Sequence, residues 1–394
     1  MKKLLFVIDS LACAGAEKSL VTLLNLLDYS KYEVDLQLFS FGGEFESLLP
    51  KKVRVLPKLP FFECCRKTLS ENVKEKKWNM LKHRLEYSFV LRTGKYTIEQ
   101  EAVLFWRSTH KAFDVQVTQY DIAIAYAQGT PTFYVADCVQ AKKKYAWINA
   151  TYKPTGRYRD FVLNKYWEFD KIACVSGSAH EVFKEVFPEV EDKGTVIYDI
   201  NDGQFMMQMA DMGATEDIDM KDGKIKLLTI GRLAEEKGYD IALEACEILK
   251  QREIPFVWYA LGRGSLEEKI REIIAEKKLG GFFVLLGTRS NPYPYIKYAD
   301  IYIQTSKTEG YGLAIAEARM LNTPVVTTRF DAVYAQMVDG ENGLVVDMTP
   351  EAVADGIERL IKDKQLYEHI VNYQKQEKKG NYEEINKFYS LIEE

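Results

Sequence analysis

The sequence predicts two doubly wound α/β domains of the Rossmann-like kind. Three observations carry that expectation. Short apolar runs such as Leu4–Ile8 and Ile225–Ile230 read as strands buried on both faces, each followed by a glycine-bearing turn and an amphipathic helix. This alternation occurs twice, with a polar stretch near residue 204 between the two sets. In the second set the strands end in loops carrying glycines and charged residues. The chemistry therefore falls on the carboxyl edge of a sheet, where open α/β sheets bind ligands.

Composition narrows the class. The 394 residues suffice for two or three domains with full cores. A net charge of −5 argues against a dedicated nucleic-acid binder. Cys13, Cys64, Cys65, Cys138, Cys174 and Cys246 form no C-x-x-C pair, which points to reduced thiols in a cytoplasmic protein. His83, His110, His180 and His369 make no H-x-x-x-H or H-E-x-x-H pattern, so no metal ligand set is indicated. Lys2-Lys3 ahead of Leu4–Ile8 mimics a signal peptide, but Asp9 interrupts the apolar run. No other run approaches bilayer-spanning length.

In chain order, Leu4–Ile8 is the first strand, Leu11–Gly15 a small-residue loop, and Ala16–Leu27 a helix with Leu20, Leu23, Leu24 and Leu27 on one face. Further strands are expected at Val34–Phe39, Val53–Leu56, Ile122–Tyr126, Tyr145–Ile148, Ile172–Val175 and Thr195–Tyr198. A helical insertion over 58–110 interrupts them. Its first part, 58–95, holds ten Lys or Arg against four Glu, a local net charge of +6, interleaved with Phe61, Phe62, Trp78, Met80, Leu81, Leu85 and Phe89. That is either a solvated insertion packed on the sheet or a basic amphipathic surface for anionic lipid.

The second half opens with Gln204–Asp222, polar and acidic, which reads as the junction between domains. Strands follow at Ile225–Ile230, Pro255–Leu261, Phe282–Leu286, Asp300–Gln304, Pro324–Thr328 and Gly343–Val346, then helices over Pro350–Gln376 and Asn381–Glu394. The central stretch is Gln304–Glu317, a strand running through Gly310 and Gly312 into a helix. Unpaired amides and the macrodipole at such a helix start make an anion site. Glu309 and Glu317 frame it, and carboxylates accept from hydroxyls rather than bind phosphate. A sugar attached to a phosphate suits both halves of that description.

These motifs resemble a known family. Glu309 and Glu317, with seven residues between them, resemble the E-x7-E signature of retaining family-4 glycosyltransferases, and Thr305-Ser306 with Glu309–Gly312 resemble their "PS…EGFG" segment. Gly231-Arg232-Leu233 through Lys237-Gly238 is similar to their "GRL…KG" loop. Ala14-Gly15-Ala16-Glu17-Lys18 is similar to "GGAE(R/K)", with Ala14 in place of a glycine. The resemblance implies a GT-B fold, with an acceptor domain over 1–203, a nucleotide-sugar domain over 204–376, and a helix over 377–394 returning to the first. It implies transfer of a hexosyl group from a nucleotide sugar, a UDP-sugar, to a glycan or lipid-linked glycan as in polysaccharide synthesis, without metal or other cofactor.

The same resemblance assigns roles. Arg232 and Lys237 hold the diphosphate and, with Glu309 on the sugar hydroxyls, form the catalytic set. Glu317 accepts from the ribose. Gly231, Gly262, Gly287-Thr288 and the backbone of Gly310, Tyr311, Gly312 and Leu313 line the donor, while Gly15 and Ala16 approach it from the first domain. Asn149 stands where relatives place a histidine near the reacting carbon, and an amide cannot carry charge there. The glycan acceptor, on lipid, would be met at the inner face of a membrane through 58–95. Two rivals stay open: a related nucleotide-sugar 2-epimerase and a non-catalytic nucleotide-sugar-binding subunit. A glycoside hydrolase is disfavoured, because two facing carboxyls have no use for Arg232 and Lys237.

Overall fold

A computed structural model describes residues 1–12, 15–149, 152–212, 215, 218, 223–289, 291–309, 312–330 and 333–394. The chain divides into two compact units, one made of Met1–Asn201 with Asn381–Glu394, the other of Asp202–Gly380. No helix among the described residues is long and apolar enough to cross a membrane.

The first unit begins with β1 (Lys2–Ile8), α1 (Gly15–Leu26), β2 (Tyr32–Leu38) and β3 (Val53–Val55). Four helices follow without a strand: α2 (Pro60–Arg66), α3 (Leu69–Lys74), α4 (Trp78–Leu91) and α5 (Ile98–Thr109). Regular alternation then resumes with β4 (Gln119–Ala125), α6 (Thr130–Cys138), β5 (Gln140–Ile148), α7 (Gly156–Tyr166), β6 (Lys171–Cys174), α8 (Gly177–Val186) and β7 (Gly194–Val196). The seven strands are parallel in the order β3-β2-β1-β4-β5-β6-β7. β1 is central, and its Leu4–Val7 are fully buried, as a strand covered by helices on both faces requires.

The second unit runs α9 (Gly203–Met212), β8 (Ile225–Ile230), α10 (Tyr239–Gln251), β9 (Phe256–Leu261), α11 (Glu267–Glu276) and β10 (Phe283–Gly287). It continues through α12 (Tyr293–Tyr298), β11 (Ile301–Gln304), α13 (Leu313–Met320), β12 (Val325–Thr328), β13 (Leu344–Val346), α14 (Pro350–Lys362) and α15 (Lys364–Gln376). Its parallel sheet has the order β10-β9-β8-β11-β12-β13. The order reverses between β8 and β11, which opens a crevice beyond their carboxyl ends. Trp258 and Phe283 are centred 5.5 Å apart in the core, and Trp258 Nε1 donates to Thr229 Oγ1 at 2.9 Å, so the buried indole N–H is satisfied. Two parallel Rossmann-like domains are the content of the GT-B fold.

The last helix, α16 (Glu384–Glu393), belongs to the first unit. Phe388 stacks on Phe6 with centroids 6.1 Å apart, Tyr145 Oη donates to the Leu391 carbonyl, and Lys2 Nζ to that of Ile392.

Two sequence expectations need correction. Gln204–Asp222 is not all junction, because its first part is α9. The polar residues there conceal a buried row of Phe205, Met206, Met209 and Ala210, and Asn291 Nδ2 ties the helix down at the Met209 carbonyl. The last strand of the first sheet is also shorter and earlier than Thr195–Tyr198, since pairing with β6 ends at Val196.

Candidate active site

The site of the second unit forms at the β8–β11 reversal, from loops that each leave a strand. After β8, the Gly231 amide donates to the Leu261 carbonyl at 3.0 Å, and Tyr239 Oη donates to the Gly231 carbonyl at 3.2 Å. Glu235–Lys237 make one 3₁₀ turn, closed by Gly238 at φ +64°. A Cβ on Gly238 would lie 2.0 Å from the Thr305 carbonyl oxygen, so only glycine lets this turn press against the β11 exit. Thr305 Oγ1 completes the join by donating to the Lys237 carbonyl at 3.0 Å. Gly262 lies as close to the β8 loop, where a Cβ would stand 1.9 Å from the Gly231 oxygen.

That join brings Lys237 to Glu309. Lys237 Nζ lies 2.6 Å from Glu309 Oε1, and the side chains are only 18% and 11% exposed. The same oxygen accepts from Gln304 Nε2 at 2.8 Å and Ser306 Oγ at 2.7 Å. Gln304 is itself fixed, since its Oε1 accepts from Tyr302 Oη at 2.6 Å and its Nε2 also donates to Ser306 Oγ at 2.7 Å. Tyr302, Gln304 and Ser306 are buried, and burial holds the Tyr302 hydroxyl well above its usual pKa. The phenol stays protonated and donates to Gln304. Three donors thus converge on one carboxylate oxygen, leaving Oε2 with no bond to another described residue.

α13 starts beside this carboxylate. Gly312 caps it at φ +80°, and the amides of Leu313 and Ala314 have no acceptor among the described residues. Glu317, half-buried, accepts from Tyr293 Oη at 3.2 Å. Arg232 is not brought to the Lys237–Glu309 pair, because its exposed guanidinium pairs with Glu236 at 2.9 Å. The Gly262 amide donates to the Gly287 carbonyl at 2.9 Å, which aligns the β9 and β10 exits, and Thr288 is exposed beyond them. Gly310 and Tyr311 lie outside the described residues.

In the first unit, Gly15 is exposed at the start of α1 and Ala16 is half-buried. Asn149 follows β5, with its amide donating to Gln128 Oε1 at 3.1 Å and its Nδ2 to the Tyr126 carbonyl at 2.7 Å. Its Oδ1 is buried with no partner among the described residues, so the side chain offers an unused acceptor.

Gln304 and Tyr302 escaped the sequence reading, although both belong to a strand whose exit motif was recognised. The available signal was polarity: two hydrogen-bonding side chains, two residues apart, in a strand that should be apolar throughout.

Residues 215–377 match the family described as Glycosyl transferases group 1. The second unit is a group 1 glycosyl transferase domain. The chain is similar to the lipopolysaccharide core biosynthesis glycosyltransferase LpsE of Rhizobium meliloti, 30% identical over 142 residues, covering 36% of this chain and 40% of LpsE. A second relative covers nearly the full length. It is the N-acetylgalactosamine-N,N'-diacetylbacillosaminyl-diphospho-undecaprenol 4-alpha-N-acetylgalactosaminyltransferase of Campylobacter jejuni, 26% identical over 93% of this chain and 92% of that one. The chain spans about half or less of the length of several other curated relatives. Among solved structures, Anabaena HepE in complex with UDP and glucose superposes with a TM-score of 0.61 at 18% identity, over 99% of this chain and 98% of that one. A likeness at that identity speaks for the fold.

Proposed function

We propose that this glycosyltransferase moves a hexosyl residue from a UDP-sugar to a glycan or lipid-linked glycan in cell-surface polysaccharide synthesis, with retention and without a metal. The observation that carries the reading is the Lys237–Glu309 pair, held at the sheet's switch point beside the start of α13. Breaking the bond from the anomeric carbon to the β-phosphate oxygen leaves negative charge on the diphosphate. Lys237 and the Leu313 and Ala314 amides lie where that charge would be met, and Arg232 can turn to it from its exposed partner Glu236. Glu309 offers its free oxygen to the sugar hydroxyls. The acceptor oxygen bonds to the anomeric carbon on the face the phosphate leaves, and its proton passes to the departing phosphate. No separate base is then needed. Lys237, Arg232 and the amides supply the counter-charge that a divalent cation would otherwise bring.

UDP as carrier is supported by the HepE complex, and a lipid-linked acceptor by the substrate in the Campylobacter enzyme's name. The basic segment 58–95 would then rest against the anionic inner face of the membrane that carries this acceptor. Thermal-shift screening against UDP-, GDP- and ADP-sugars tests the donor, since ligand at 100 times its dissociation constant adds about 2.7 kcal/mol. Stabilisation by UDP-sugars, product of unchanged anomeric configuration, and activity unaffected by EDTA are expected. Stabilisation by none of the panel would remove the reading.

A further inference from the structure

Helix α4 carries apolar side chains on both of its faces. Its inner side is fixed: Leu81 and His83 are buried, and Arg84 Nη1 donates to the carbonyls of Cys64 and Lys67 at 2.9 and 2.7 Å, fastening the helix to the end of α2. On the other side Trp78, Lys82, Leu85 and Phe89 fall at helical spacing along a single strip. Trp78 is 58% exposed, Leu85 51% and Phe89 70%. Helix α3 packs against α4 and adds exposed Leu69 and Val73, one turn apart. Single exposed apolar residues are ordinary, but three along one strip of α4, with two more exposed on the helix packed against it, call for a partner.

The charge around the patch says which partner. Lys67 and Lys77 pair with Glu75, and Lys82 approaches Glu86 at 3.8 Å. Lys74, Lys76, Arg92 and Lys95 are exposed, and their side chains make no ion pair or hydrogen bond to another described residue. These four flank the apolar strip in a segment of net +6, within a chain of net −5. A second copy of the chain would present the same cations and be repelled. Exposed, uncompensated cations near a strip of Trp, Leu and Phe suit a fluid anionic surface, which demands no fixed complementary shape.

We propose that the outer face of α3 and α4 docks on a bilayer with anionic headgroups. Trp78, Leu85 and Phe89 enter the boundary between headgroups and acyl chains, and Lys74, Lys76, Arg92 and Lys95 lie against the lipid phosphates. This deepens the reading of a lipid-borne acceptor by naming the residues that reach the membrane, and the docking itself needs no catalysis.

The test is co-sedimentation of the full chain with vesicles of phosphatidylcholine alone or mixed with phosphatidylglycerol. Binding to the mixed vesicles, little to the neutral ones, and release by salt are expected. The triple variant Trp78→Ser, Leu85→Ser, Phe89→Ser should weaken partitioning roughly tenfold or more, because three apolar anchors are lost. Reversing the four cations to Glu should abolish the preference for anionic vesicles. Both variants change exposed side chains, so unchanged melting and unchanged donor stabilisation serve as controls. Absence of binding to mixed vesicles, or a triple variant that binds like the parent, overturns the proposal. So does a parent that is dimeric in solution and is made monomeric by the triple variant. Vesicle binding without glycosyl transfer leaves the docking intact and removes the functional reading; transfer to a water-soluble acceptor without vesicle binding does the reverse.

Discussion

Lys237 Nζ and Glu309 Oε1, 72 residues apart in sequence, meet at 2.6 Å in a largely buried ion pair. A buried pair of this kind gives little net stability, since desolvation offsets the attraction, so its value lies in what it prepares. In the proposed reaction the ammonium meets the leaving phosphate, and the carboxylate turns to the sugar the oxygen that bonds no other described residue. Replacing Lys237 with Ala should lower kcat by about 10²–10³, in line with loss of one donor to a developing oxyanion. Lys237→Arg should not restore it, because the planar fork cannot take the position of a point cation. Steady-state kinetics checks both variants, and a Lys237→Ala enzyme with unaltered kcat would end the assignment.

Gln304 acts through Glu309. Its carboxamide spans Tyr302 Oη and Glu309 Oε1, so Gln304→Leu removes a donor from the carboxylate and takes the 2.6 Å acceptor from a buried phenol. The lost hydrogen bonds should cost about 1–3 kcal/mol of stability. The freed carboxylate should lower kcat more than it raises KM for the donor. Gln304→Glu places a second carboxyl beside Glu309 and should add a new ionisation to the pH profile of kcat. A loss of stability with kcat unchanged would mean that Gln304 is only a core residue.

Much of this site was legible because its parts follow strands. Gly231, Lys237, Glu309 and Gly312 each stand just beyond a run that could only be a buried parallel strand, and strand ends share an edge. The direction of a long exposed side chain is not encoded that way, so the pairing of Arg232 with Glu236 could not be read. Helix α9 was hidden for another reason: its polar residues face out, and its methionines alternate with Gln and Asp rather than forming a continuous apolar run. The two faces of α4 are invisible in sequence as well, since both are apolar and only packing tells which is covered.

The turn that joins the loops leaving β8 and β11 depends on one glycine. Gly238→Ala puts a Cβ against the Thr305 carbonyl and holds a non-glycine residue at φ +64°. The left-handed conformation alone costs about 1–2 kcal/mol, and relieving the contact must move Lys237 away from Glu309. A melting temperature lower by roughly 4 °C or more is expected, with kcat falling as well. Gly280→Ala is the control, because nothing lies within 4 Å of its added Cβ. Equal melting of the two variants would show that the loop approach is looser than drawn.

Asp199 in the first unit gives the pH test. It accepts from Ser19 Oγ at 2.5 Å, and Ser19 Oγ also meets Tyr126 Oη at 3.0 Å. Burial raises the Asp199 carboxyl above its usual pKa, while the Ser19 hydrogen bond and Lys18 pull the other way. With the folded value above the unfolded one, the folded chain binds more protons between the two. The stability this group contributes is therefore complete below the unfolded pKa and is lost as pH rises through the folded one. Asp199→Asn keeps an acceptor for Ser19 and cannot ionise. It should melt above the parent near neutral pH, and that advantage should shrink as pH falls through the raised folded value and be gone once pH is below the ordinary carboxylate range. Melting curves across that range decide it: a gap that stays constant, or that grows in acid, would mean the carboxylate is ionised at no cost in the fold.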